Sequence, residues 1–189
     1  MMQSMDAMQV VAEFLDGDQL AVASLGHTKY ELNAHKDRPG NFYMWNAMGM
    51  ASSTALGLAM AQPDRKVVLV DGDGALLMNL STLPTEALSA RRNLVHLVFD
   101  NRQHKMTGGQ PTASAYKADF AAIAEGSGFA HSTRVETPEA LRQAMQQAME
   151  GNGPAFIHVL VEQSPKQGKP PKSPTFLRHR FMDHLDAKV

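Results

Sequence analysis

The residues with the most distinctive chemistry in this sequence are an aspartate between two glycines and an asparagine further along. Asp73 sits in Asp71-Gly72-Asp73-Gly74; Asn101 follows Asp100, with 26 residues between Gly74 and Asn101. Glycines flanking Asp73 let the backbone approach a ligand closely and leave its amides unblocked. The amides of Gly74 and Ala75 would open the next helix, a natural position for phosphate oxygens. The Asp73 carboxylate and the Asn101 amide oxygen are hard ligands, suited to Mg²⁺ bridging to a diphosphate. Gly-Asp-Gly alone is most often a tight turn. Paired with an asparagine at the end of a second strand, it is far more specific.

Two strands must present these residues. Val67–Val70 and Leu94–Phe99 are short apolar runs that end at Asp71-Gly72-Asp73-Gly74 and Asp100-Asn101. Such runs, bounded by turn residues, predict buried parallel strands. Ser81–Arg92 between them reads as a helix, with Pro84 in its first turn. The result is a βαβ unit whose polar residues fall at the carboxyl ends of the strands, where open α/β sheets bind ligands.

The rest of the chain extends the same alternation. Ser4–Leu15 reads as an amphipathic helix that Gly17 ends, and Gln19–Leu25 as a strand running into the turn Gly26-His27-Thr28. Lys29–His35 follows as a helix, Asn41–Trp45 as an extended segment and Met50–Gln62 as a small-residue helix. Asn101–Thr112 is a glycine-rich loop above the proposed metal position, and loops of this kind close over ligands. Asp119–Gly126 is a capped helix, Ala130–Arg134 a strand, and Thr137-Pro138 opens a helix that stops at Gly151. Ala155–Val161 is a further buried strand. His96, His131 and His158 fall in or beside strands and are expected to be packed rather than ligating. Residues 1–189 read as a single domain, with 164–174 a Pro/Lys-rich surface segment and 175–186 a terminal helix.

The net charge of −1 gives no reason to expect nucleic acid or an anionic membrane as partner. With no cysteine, a disulfide framework and a cysteine-held iron–sulfur cluster are excluded within this chain. Met1–Leu15 carries Asp6 and Glu13 and no basic leader, and no apolar run reaches spanning length, so the cytoplasm is the expected location.

The stretches DGDGALLMNLSTLPTEA, NLVHLVFDN and HKMTGGQPT together resemble the diphosphate-binding domain of thiamine diphosphate-dependent decarboxylases. The similarity is to phosphonopyruvate and sulfopyruvate decarboxylases, runs from about Gly26 to Thr112, and suggests the small β subunit of a two-subunit enzyme. It implies an α/β fold, a doubly wound, mostly parallel sheet flanked by helices. It implies thiamine diphosphate and Mg²⁺ as cofactors. Asp73, Asn101 and the backbone carbonyl of Gln103 would hold the metal, and Gly72, Gly74 and Ala75 the diphosphate. Met48 would sit beneath the bent cofactor, the Asn46 carbonyl would meet its aminopyrimidine, and His104 would face the substrate. His27, read from its own strand-end turn, is either a contact to the diphosphate or the substrate or a loop histidine with no role, the two weighing about evenly. The catalytic glutamate would come from a pyrimidine-binding domain on a separate α subunit. Because half the cofactor site is then missing, an exposed apolar face and self-association or a heteromer are expected. Lys29, Lys36, Arg38, Arg102 and Lys105 lie where they could reach an anionic 2-oxo acid, though solvation explains each equally well. Two other readings remain: the cofactor half of another thiamine enzyme, such as a carboligase or an acetolactate synthase-like protein, and a non-catalytic assembly subunit.

Overall fold

The computed structural model describes residues 1–89, 92–165 and 173–187. The chain alternates strand and helix: β1 (Met2–Gln3), α1 (Ser4–Glu13), β2 (Leu20–Ala23), α2 (His27–Lys36), β3 (Asn41–Tyr43) and α3 (Ala51–Ala61). The central unit follows as β4 (Val67–Gly72), α4 (Asp73–Leu77), α5 (Thr82–Ser89) and β5 (Leu94–Asp100). Two short strands, β6 (Gln103–His104) and β7 (Gln110–Pro111), come next. The chain then runs through α6 (Phe120–Gly126), β8 (His131–Val135), α7 (Pro138–Glu150), β9 (Ala155–Glu162) and α8 (Pro174–His184).

The main sheet is parallel, ordered β9-β5-β4-β2-β3, with the outer edge of β9 shared by β8 and β1. β8 pairs with the amino-terminal part of β9, and β1 with Val161 and Glu162 at its carboxyl end. Side chains alternate between faces, so each inner strand feeds two cores. Val68, Val70, Val95 and Leu97 pack with Met8, Val11, Leu141 and Met145 of α1 and α7. Val67, Leu69 and Leu94 pack on the opposite face with Ala51, Ala55 and Phe181 of α3 and α8. Further along that face, Val98 and Phe156 meet Leu76, Leu83 and Phe120. This is the doubly wound α/β architecture expected. Among the described residues no helix is long and apolar enough to cross a membrane.

Three local expectations need correction. Helix α2 starts at His27 rather than Lys29, because Gly26 takes a φ of +86° and turns the chain straight from β2 into the helix. Asn101–Thr112 is not a plain loop: β6 and β7 form an antiparallel hairpin, reversed at Gly108 and Gly109, which have φ of +121° and +77°. His131 is exposed on β8, not packed. The helix expected over Ser81–Arg92 spans Thr82–Ser89, and residues 90–91 lie outside the described residues, as do 166–172 of the Pro/Lys-rich segment.

Helix ends obey local chemistry. Asp119 accepts from the amides of Ala121 and Ala122, and Thr137 accepts from Ala140 with Pro138 at the first position. Because no residue of α7 lines the cavity described below, its cap can be tested independently of any site. Thr137→Ala should cost about 1 kcal/mol and lower Tm by roughly 2–4 °C at this size, read by thermal denaturation, without changing ligand binding.

Candidate functional site

The ladder between β4 and β5 pairs Gly72 with Phe99, so Asp73 and Asp100 emerge side by side at the carboxyl edge, with Asn101 one residue beyond. An open cavity lies there. Its lining includes His27, Met48, Gly72, Asp73, Gly74, Ala75, Asn101, Gln103 and His104. Asn46 does not line it; it is exposed, at a φ of +56° on the loop before Met48.

Each glycine here has a separate reason. A Cβ on Gly74 would lie 2.5 Å from His104 Nδ1 and 3.3 Å from Met48 Cε, so only glycine lets these side chains close over the strand end. A Cβ on Gly72 would meet no atom within 4 Å; it would intrude on the cavity itself. Gly26 delivers the first turn of α2 to the opposite wall, where Gly26, His27 and Thr28 line the cavity and no side chain caps the helix. That end suits an anion.

Asp73 is buried and accepts from Thr112 Oγ1 at 2.7 Å. Burial, then the neighbouring Asp100 carboxylate, pushes the Asp73 carboxyl up to about 7. Burial also pushes Asp100 up. Hydrogen bonds from His158 Nε2 at 2.8 Å, Ser114 Oγ at 2.7 Å and the Arg102 amide at 2.8 Å outweigh it and hold Asp100 below the usual carboxylate range. Behind this pair, buried Asp71 accepts from the Gly72 amide, and His96 Nδ1 lies 2.8 Å from Glu86 Oε2.

Two acidic side chains crowded in a buried corner suit a divalent cation, which would neutralise them. The other oxygens fit too. Asn101 Oδ1 faces the Gln103 amide at 2.9 Å. In the hairpin, the Thr112 amide donates to the Arg102 carbonyl, so by alternation the backbone groups of Gln103 point away from β7. Pro111, opposite Gln103, has no N–H to offer. One carboxylate, one amide oxygen and one such carbonyl form an all-oxygen set appropriate for Mg²⁺. Among the described residues no cluster of three His, Cys, Asp or Glu side chains offers an alternative metal site.

Three participants escape sequence reasoning. Ser4, Glu31 and Gln163 line the same cavity, contributed by α1, α2 and the residue after β9. No local motif marks them; only the pairing of β1 with the carboxyl end of β9 brings Ser4 to this edge. His158 was expected to be a packing residue and is buried, but it also bonds Asp100. The candidate cations divide. Lys29 is buried, 3.3 Å from the Met44 carbonyl and 4.0 Å from the Trp45 ring, bracing the chain before Met48. Lys36 pairs with Asp16, and Arg38 donates to the carbonyls of Gly17 and Gln19. Lys105 lines the cavity and is exposed.

A carboxyl whose folded pKa lies above its unfolded value stabilises the fold fully at low pH, and that contribution is lost as pH rises toward the folded pKa. In the metal-free chain Asp73 should therefore lose stability between about pH 4 and 7. Asp73→Asn keeps an acceptor for Thr112 and removes the charge. It should be more stable than the parent by at least about 1 kcal/mol at pH 8 and nearly equal below pH 4, measured by urea denaturation.

Residues 25–159 match the family described as the thiamine pyrophosphate enzyme, C-terminal TPP binding domain. The chain is 40% identical over 162 residues to the sulfopyruvate decarboxylase subunit beta of Methanothermobacter thermautotrophicus, spanning 86% of this chain and 83% of that protein. It is 31% identical to the subunit of the same name from Methanocaldococcus jannaschii, spanning 95% of each. It is 37% identical to phosphonopyruvate decarboxylase of Streptomyces viridochromogenes, but spans only 42% of that longer protein. Among solved structures, benzoylformate decarboxylase from Polynucleobacter necessarius superposes with a TM-score of 0.73 at 19% identity, over 89% of this chain and 34% of that one, which shows the fold. The chain belongs to the thiamine pyrophosphate enzymes, as a C-terminal TPP-binding domain of the decarboxylase type that includes the sulfopyruvate decarboxylase β subunits.

Proposed function

We propose that this chain is the β subunit of a Mg²⁺- and thiamine diphosphate-dependent decarboxylase that converts an anionic 2-oxo acid, sulfopyruvate or phosphonopyruvate, to an aldehyde and carbon dioxide. The observation that carries this reading is the meeting of Asp73, Asn101 and the hairpin residue Gln103 at one cavity, opposite the first turn of α2. In this reading Asp73, Asn101 and the Gln103 carbonyl hold Mg²⁺, while the amides at Gly74 and Ala75 and the first turn of α2 hold the diphosphate. Met48 would support the cofactor, and the Asn46 carbonyl would accept from its aminopyrimidine. When bound, thiamine diphosphate supplies the nucleophile and the electron sink for loss of carbon dioxide. The chain supplies position, exclusion of water and charge. His104, packed over Gly74, and His27 on the opposite wall are placed to bond substrate or diphosphate oxygens. Lys105, on the hairpin over the same cavity, is the cation placed to attract a sulfonate or phosphonate.

A separate α subunit carrying the pyrimidine-binding domain would complete the site and contribute the glutamate. Support comes from the beta-subunit names of relatives that this chain spans almost entirely, and from the extra length of the phosphonopyruvate enzyme. The surface agrees: Trp45, Met48 and Met50 are exposed on one loop, Met78 beside Gly49, and Met106 at the cavity rim. Exposed apolar groups gathered beside a cavity favour a partner surface. The cytoplasm remains the proposed location.

Calorimetric titration of thiamine diphosphate with Mg²⁺, into the chain alone and with its candidate α subunit, tests the reading. Asp73→Ala should abolish binding; full retention of binding and activity would overturn the assignment. With the assembled enzyme, Lys105→Ala should raise KM for sulfopyruvate and phosphonopyruvate by about tenfold, the equivalent of roughly 1.4 kcal/mol, and leave any pyruvate turnover unchanged. A preference of the parent enzyme for pyruvate would remove the anionic-substrate assignment.

A further inference from the structure

A line of hydrogen bonds runs from the buried interior to the metal-side amide of Asn101. Glu31, on α2 and 1% exposed, accepts at Oε1 from Ser4 Oγ at 2.6 Å and from Gln163 Nε2 at 2.8 Å. Gln163 Oε1 in turn accepts from Asn101 Nδ2 at 3.2 Å. Asn101 Oδ1 is thereby left on the side of the Gln103 amide, 2.9 Å away. Ser4 is itself held by the Ser164 amide at 3.1 Å, so the root of the line is pinned to the β1–β9 edge.

The direction of this line follows from donor and acceptor inventory. A carboxylate accepts and an amide has one accepting and one donating end. With Glu31 at the root, Gln163 must turn its nitrogen inward and its oxygen toward Asn101. Asn101 must then turn its nitrogen toward Gln163 and its oxygen outward. A flipped Asn101 would set its NH₂ against the Gln103 amide and present donors to a cation. Burial raises the pKa of Glu31, but a proton on Oε2, which has no partner, would leave Oε1 an acceptor, so the direction is the same in either state.

We propose that Glu31 and Gln163 are positioning residues that fix the amide of Asn101 with its oxygen toward the metal. The inference rests on the reading of Asn101 as a Mg²⁺ ligand. Neither residue touches the cation; both act through Asn101, as outer-shell partners do when they orient a metal ligand.

The test is calorimetric titration of Mg²⁺ at saturating thiamine diphosphate, using the full chain in whichever state, alone or with its α subunit, binds the cofactor. Gln163→Met keeps the length and volume of the side chain but offers Asn101 no acceptor. It should raise the Kd for Mg²⁺ by about 10–100-fold, keep the parent's Tm within a few degrees, and recover parental kcat at saturating Mg²⁺. The exchanged pair, Glu31→Gln with Gln163→Glu, moves the carboxylate to position 163. There it accepts from both neighbours and leaves Asn101 facing the same way, so Mg²⁺ affinity should stay close to that of the parent. Gln163→Met within twofold of the parent, or a folded exchanged pair whose Kd for Mg²⁺ rises about tenfold or more above the parent's, overturns the relay. If Gln163→Met fails to fold, the exchanged pair decides alone. Asp73→Ala separates the two levels: if it binds Mg²⁺ like the parent, or the parent binds none, the metal reading fails and the relay with it. If only Asp73→Ala loses the metal, the metal reading stands and the relay is wrong.

Discussion

Pairing Gly72 with Phe99 in the parallel ladder of β4 and β5 sets two carboxylates against each other at a buried strand end. Nearly everything around the cavity answers that placement. A slip of one residue would exchange the faces of Val67, Val68, Leu69 and Val70, and both cores forbid it. The register is thus held by apolar burial on the two sides of the sheet, and the polar edge inherits its geometry from the hydrophobic interior. His158, Ser114 and the Arg102 amide keep charge on Asp100; Asp73, with Thr112, carries the strain of the pair. A corner costly to the empty fold is suited to receiving a cation, and stability is commonly given up in this way at functional sites.

Much of the architecture was legible because parallel strands buried on both faces are short, apolar and β-branched, as in Val67–Val70 and Leu94–Phe99. Caps such as Thr137-Pro138 announce themselves for the same local reason. That Asp73 and Asn101 meet at one cavity was legible because Gly-Asp-Gly and Asp-Asn sit at strand ends. What escaped was nonlocal. Ser4, Glu31 and Gln163 are unremarkable polar residues in sequence, joined only by the docking of β1 on β9 and of α2 behind them. The hairpin of β6 and β7 escaped because two-residue strands carry too little pattern to register, and its glycines were read as loop residues. Lys29 was misleading for another reason. A lysine in an amphipathic stretch reads as solvated, but here its ammonium leaves water for a carbonyl and an indole ring.

The hairpin also ties the cavity lining to the carboxylate pair. Its tip carries His104, Lys105 and Met106 into the cavity, and its base is held by Thr112 to Asp73 and by Ser114 to Asp100. Any change in charge at the carboxylate pair is therefore felt at the base of the hairpin.

The union of the first and last strands of the sheet has a consequence for how the molecule comes into being. The Ser4–Ser164 contact spans 160 positions of sequence, and the cavity wall it closes cannot exist before β9 is in place. Loop closure on that scale is slow relative to local structure, and parallel pairing adds to the delay. On the ribosome, β2 through β5 can assemble around a half-built edge, but the cavity wall that carries Ser4 and Gln163 is a late event. Cofactor can then act as a lock on a completed fold rather than as a nucleus for it.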